Sequence, residues 1–240
     1  MFFRYYDWTF IIIIPAVLFA FYAQSRVRSS FKKYQKYYSQ KGYTAREVAR
    51  IILDENGLTN IHIDHVSGEL TDHFDPKSNV IRLSDSVENS TSIAAIGIAA
   101  HEVGHAIQHA EGYTPIKARA ALVPATKFGS TLAPILILIG IILTRSAQYL
   151  NFGYKLAIIG LLAYSLVAIF QFITLPVEFN ASKRALVTLE RREILTAQEI
   201  PMAKKVLSSA ALTYVAALVS SLSTILRLAL IISGNKGRRR

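Results

Sequence analysis

The chain has 240 residues, enough for one or two ordinary domains, but 52% are hydrophobic and only 18% charged, a balance that points to a membrane protein. No cysteine is present, which excludes disulfides, thiolate metal sites and cysteine nucleophiles and leaves histidine and carboxylate as the only strong metal ligands. The net charge of +11 is uneven: Arg26, Arg28, Lys32, Lys33, Lys36 and Lys41 follow the first apolar window and Lys236, Arg238, Arg239 and Arg240 close the chain, whereas residues 42–92 carry nine acidic against four basic side chains. A nucleic-acid binder concentrates basic charge on its folded domain; here the charge flanks apolar helices, so the expected partner is membrane lipid and no nucleic acid.

The first apolar window, residues 8–23, ends without a small-x-small cleavage site and runs into basic residues, so it reads as a signal anchor and not as a cleaved leader. TAREVARIILDENG then places Val48, Ile51 and Ile52 at helical spacing with Gly57 as a stop, a short amphipathic helix. LTNIHIDHV, ELTDHF and VIRLS alternate and are separated by SG and DPKSN turns, which predicts a small antiparallel sheet over residues 59–84. His62, His65 and His73 fall on these strands as half-exposed residues and not as ligands. A helix follows from a cap near Asn89 or Ser90 to Gly112, with Pro115 beyond it.

Two further apolar windows, 132–143 and 154–175, are joined by TRSAQYLNFG, a connection short enough to force an antiparallel hairpin. A hydrocarbon core about 30 Å thick takes roughly 20 helical residues; the 154–175 window suffices alone, and the two before it draw on their flanks. The chain re-emerges as a polar amphipathic segment over 175–201. A last window, 206–232, is long enough to cross but is diluted by serines and carries Arg227, so it is expected to pack along the protein or the interface. The fold class expected is a mainly α membrane protein with three or four membrane helices and a small antiparallel β-sheet beside the 89–112 helix.

That helix carries the chemistry. AAIGIAAHEVGHAIQHAEGY is apolar except where His101, Glu102 and His105 interrupt it. Residues four apart lie about 40° apart around a helix and about 6 Å along it, so His101 and His105 project from one face within reach of one ion, with Glu102 beside them. In the H-E-x-x-H pattern the two imidazoles hold zinc, and the glutamate, not itself a ligand, takes a proton from the metal-activated water. Burying these groups among alanines would be costly without such compensation, and Gly104 would let a neighbouring element approach. His109 is roughly 12 Å from His101 along the axis, too far for a shared ion. Gln108 and Glu111 stand where an H-x-x-G-x-x-H continuation would need glycine and histidine.

The third ligand must therefore come from elsewhere, and Glu178 in PVEFNASKRA is the best donor: the hairpin crosses and returns, so Glu178 emerges on the face of the metal helix. The alternative is that Glu178 is an N-terminal charge of a surface helix. Arg184 and Tyr214 are candidates to stabilise a developing oxyanion; a salt-bridged or lipid-facing Arg184 and a packed Tyr214 are the alternatives.

LDENGL, LTDHFDPKSNVIRLS, SIAAIGIAAHEVGHAIQHAEGY, PVEFNASKRA and ALTYVAAL, in that order along nearly the whole chain, resemble the YugP-like family of neutral zinc metallopeptidases, bacterial membrane proteases. The resemblance implies a zincin-like catalytic core of the glutamate-zincin kind and a membrane-integrated endopeptidase. Zn2+ would be held by His101, His105 and Glu178, with Glu102 as general base. Along the chain, the organisation expected is residues 1–25 as an N-terminal membrane anchor, 26–128 as the zincin-like catalytic region, 129–175 as the transmembrane hairpin, and 176–240 as the third-ligand helix with a C-terminal membrane-associated helix. Asn180 stands where the family often has aspartate, and Ser182 where related glutamate-zincins place one, so Asn180 is the remaining candidate to orient a ligand histidine. The VIRLS strand is expected to pair with an extended protein or peptide substrate. A non-catalytic zinc-binding membrane scaffold, or a zinc hydrolase of a small amide or lipid-linked substrate, are the rival functions. Basic residues after the first window and only Arg4 before it place the active site on the cytoplasmic side of a bacterial inner membrane.

Overall fold

The computed structural model describes residues 8–237; Arg4 and the tail residues Arg238, Arg239 and Arg240, on which the topology expectation draws, lie outside the described residues, as does the Lys236 side chain. A 3-10 turn, Trp8–Ile12, leads into α1 (Ile13–Tyr34). Then come α2 (Ala45–Glu55), β1 (His62–Val66), β2 (His73–Asp75), β3 (Val80–Ser84), α3 (Ile93–Ala110), α4 (Thr114–Leu143), α5 (Leu150–Arg191) and α6 (Ile200–Gly237). The fold is mainly helical with one small sheet, as the sequence leads one to expect. Two compact units are formed, one from the described part of Met1–Tyr22, Ala118–Ile173 and Tyr214–Arg240, the other from Ala23–Lys117 and Thr174–Thr213.

Among the described residues four helices are long and apolar enough to cross a membrane, Trp8–Tyr34, Thr114–Leu143, Ala147–Arg191 and Ile200–Gly234, and their apolar stretches lie in the first unit. Large apolar side chains such as Phe21, Phe128, Leu162 and Phe172 stand exposed on them, which suits a lipid surface. The α4–α5 hairpin closes on small residues. A Cβ placed on Gly140 would lie 2.6 Å from the Ala157 backbone nitrogen, and one on Gly129 would lie 2.5 Å from the Ala163 carbonyl oxygen, the close backbone approach by which helices associate in a bilayer.

Two features argued from sequence against a crossing by the last helix, and both are accommodated. The hydroxyls of Ser209, Ser221 and Ser233 donate to carbonyls one turn back in α6. Arg227 donates from Nε to Thr9 Oγ1, and its guanidinium lies 3.8 Å from the centre of the Phe10 ring.

The second unit positions the site. Thr44 and Glu47 form a capping box at the start of α2, which fixes where the helix begins. Its buried face, Val48, Ala49, Ile52 and Leu53, shares one core with Ile96, Ala99 and Val103 of α3 and with Ile81 and Leu83 of β3. The sheet order is β1-β3-β2. β2 pairs with β3 antiparallel, Phe74 opposite Ile81, but β1 pairs with β3 in parallel, His62 opposite Val80, so the sheet is mixed and not wholly antiparallel. VIRLS, the most apolar of the three runs, takes the centre, with Ile81 and Leu83 fully buried. A central strand has no free edge, and this overturns the expectation that VIRLS pairs with substrate; the edge strand beside α3 is β2.

Ser92, two or three residues later than expected, caps α3 by accepting from the Ala95 N–H. Gly112, at φ 65°, supplies the left-handed residue that ends the helix. α5 runs unbroken through Pro176, so the apolar 154–175 window and the polar segment bearing Glu178 are one helix.

Candidate metal centre

α3 is mostly small and apolar around its polar residues, and this lets α5 come close. A Cβ on Gly104 would lie 2.7 Å from the Ala181 carbonyl oxygen and 3.2 Å from the Ala181 Cα, so the backbones of the two helices touch there. The contact sets Glu178 and Ser182 of α5, one helical turn apart, against His101 and His105 of α3.

His101 Nε2 and His105 Nε2 stand 3.1 Å apart, and Glu178 Oε2 lies 3.3 Å from the first and 3.4 Å from the second. These three residues can hold a metal ion. Donors around a tetrahedral zinc with bonds of about 2.0–2.1 Å stand roughly 3.3 Å from one another, which is the size of this triangle, and two imidazoles with one carboxylate are a donor set that zinc accepts. Glu178 is 2% exposed, which a carboxylate tolerates only beside cationic or strongly polar partners.

The outer nitrogens of both imidazoles are occupied. His101 Nδ1 meets Ser182 Oγ at 3.1 Å, so the hydroxyl stands where the sequence comparison lacked an aspartate. His105 Nδ1 meets Gln108 Oε1 at 3.1 Å. Gln108 in turn donates to the Val177 carbonyl at 2.8 Å and to Asn180 Oδ1 at 2.9 Å. Asn180 therefore touches Gln108 and not an imidazole. Arg184 donates from Nε to Asn180 Oδ1 at 2.7 Å and pairs with Glu111 at 2.7 Å. Tyr214 belongs to α6 in the other compact unit.

Glu102 Oε2 accepts from the Phe74 N–H of β2 at 3.0 Å. Burial pushes its carboxyl pKa up, and the neighbouring His101 and His105 oppose this. The nearby Asp72 is also pushed up by burial, against the Ser84 N–H and hydroxyl that bond its two oxygens. Gln108, Ser182 and the Phe74 N–H are the parts of the site that sequence reasoning gave no role. The available signal was a lone glutamine three residues after His105 on an otherwise apolar helix.

Residues 9–233 match the family model described as "putative neutral zinc metallopeptidase". The chain is 43% identical over 220 residues to the "putative membrane protease YugP" of Bacillus subtilis (strain 168), an alignment covering 92% of this chain and 94% of that protein. No solved structure matches. The metal of such a family is zinc, and with a match that spans its helices, its sheet and its His101, His105 and Glu178 cluster, the chain belongs to this family of neutral zinc metallopeptidases.

Proposed function

We propose that the protein is a membrane-integrated endopeptidase in which His101, His105 and Glu178 hold zinc and Glu102 is the general base. The observation that carries this reading is the triangle of donors 3.1–3.4 Å apart, with the buried Glu102 carboxylate next to it in α3. Zinc bound there supplies an acidified water and a polarised peptide carbonyl. Glu102 takes the proton of the attacking water as the new C–O bond forms, and returns it to the amide nitrogen that leaves as an amine when the C–N bond breaks. Burial raises the carboxyl above the ordinary carboxylate range, which makes its ionised form a stronger base for the proton it takes and later returns. The Phe74 N–H holds one of its oxygens.

β2, as the edge strand beside α3, supports an extended polypeptide as substrate: the Phe74 N–H is given to Glu102, and a strand laid along the remaining edge groups of β2 lies beside that carboxylate. The basic run from Arg26 to Lys41 supports a cytoplasmic active site in a bacterial inner membrane, since positive charge after the first membrane segment is retained inside.

Cleavage-site profiling of bacterial membrane proteins tests the function. Purified protein is expected to generate new termini within membrane or membrane-proximal proteins, and a zinc chelator is expected to abolish them. Release of small amines or lipid-linked products with no new peptide termini would overturn the endopeptidase reading.

A further inference from the structure

We infer that Gln108 is a positioning residue that fixes the tautomer of His105, and that it is itself held by Val177 and, through Asn180, by Arg184. The inference rests on the metal reading above in one respect only, that His105 Nε2 is the atom offered to the ion.

The donors and acceptors around Gln108 form a chain in which each link leaves one choice. A backbone carbonyl only accepts, so the Gln108 side-chain group 2.8 Å from the Val177 oxygen is the amide nitrogen. Its second N–H points to Asn180, 2.9 Å away. Arg184 Nε, which only donates, reaches the same Asn180 atom at 2.7 Å, so Asn180 must present its oxygen. With both amide hydrogens committed, Gln108 turns its oxygen to His105 Nδ1 at 3.1 Å. That ring nitrogen must then carry the proton, and in a neutral imidazole the lone pair is left on Nε2, the atom in the donor triangle.

Gln108 is fully buried, so water does not compete for these bonds. Arg184 is steadied from the other side by Glu111. The His101 ring is set from the inner side: its Nδ1 partner is the Ser182 hydroxyl, which donates or accepts with equal ease, while its Nε2, 3.1 Å from His105 Nε2, carries the proton when that of His105 does not.

The test uses full-length, zinc-free protein in detergent with 15N-labelled histidine, at a pH high enough that His105 is neutral, the His105 signals being those lost in His105→Ala. Wild type is expected to show a protonated Nδ1 and an unprotonated Nε2 at His105. Gln108→Leu is expected to give a tautomer mixture at His105 and, across the 3.1 Å contact between the two Nε2 atoms, at His101, with a zinc affinity lower by about 10–100-fold. Asn180→Asp keeps the oxygen that both donors need and should hold zinc affinity within about threefold, whereas Asn180→Leu should lower it. A folded Gln108→Leu protein with the wild-type His105 pattern and zinc affinity overturns the inference. If Gln108→Leu fails to fold, equal zinc affinity in Asn180→Asp and Asn180→Leu overturns it. A wild type that binds no zinc but shows the His105 pattern, lost in Gln108→Leu, supports the tautomer inference and overturns the metal reading instead.

Discussion

Gly104→Ala tests whether the contact between α3 and α5 builds the metal centre. The added Cβ would sit 2.7 Å from the Ala181 carbonyl oxygen, against the 3.4 Å at which ordinary van der Waals contact begins. The neighbour is backbone and cannot rotate away, so α5 must shift by about 0.5 Å or more, and such overpacking costs about 1–3 kcal/mol. Alanine regains about 1 kcal/mol of helix propensity over glycine, so the net loss is smaller than the clash alone. Gly97→Ala is the matched control: in the same helix, its Cβ would meet the Ala203 Cβ at 3.5 Å, an ordinary contact, and the propensity gain should appear undiminished. The shift of α5 also carries Glu178 and Ser182 away from His101 and His105, so zinc affinity should fall about 10–100-fold in Gly104→Ala and not in Gly97→Ala. Melting temperature in detergent and zinc competition against a chromophoric chelator read the two effects. Indistinguishable behaviour of the two variants in both assays would refute the reasoning.

His101→Ala, His105→Ala and Glu178→Ala should each weaken zinc binding, and full zinc retention by Glu178→Ala in elemental analysis would remove it from the ligand set. Asp75 bears on acid stability. The Ser78 hydroxyl, then the Lys77 N–H, draw its carboxyl from an ordinary 3.8 down to about 2, and a folded pKa below the unfolded one contributes stability that is complete above the unfolded value and lost as pH falls through the folded one. Asp75→Ala should therefore flatten the fall in melting temperature between pH 3.8 and about 2, and an unchanged slope would contradict that. Because the chain has no cysteine, single cysteines report topology. Ser86→Cys should resist an impermeant reagent in intact cells. Ser233→Cys should react with it, since Arg227 of α6 meets Thr9 and Phe10 at the start of the first helix; an unreactive Ser233→Cys would mean that α6 does not cross.

The histidine pair and Glu102 were legible because their geometry is set by helical spacing alone. Glu178 needed one more step, the return of the hairpin, and the structure places it with the two histidines. Strand order was not legible. Alternation shows that a residue faces a core but not which strand lies beside it or in which direction, and β3 enters between β1 and β2. The polar turn of composition at Glu178 read as the end of a membrane helix, yet α5 continues to Arg191, because backbone bonding within a helix does not depend on the polarity of its surface. Gln108 was given no role because a buried amide matters only through its partners, and two of these sit on α5, about 70 residues later in the chain.

Glu102 is proposed to move the proton at a zinc site built from His101, His105 and Glu178. The most direct test of this role compares wild type with Glu102→Gln, each shown by elemental analysis to hold about one zinc per chain, on the same membrane-protein substrates. Equal zinc, equal folding and cleavage by the wild type alone are expected. Undiminished, chelator-sensitive cleavage by zinc-loaded Glu102→Gln would contradict it.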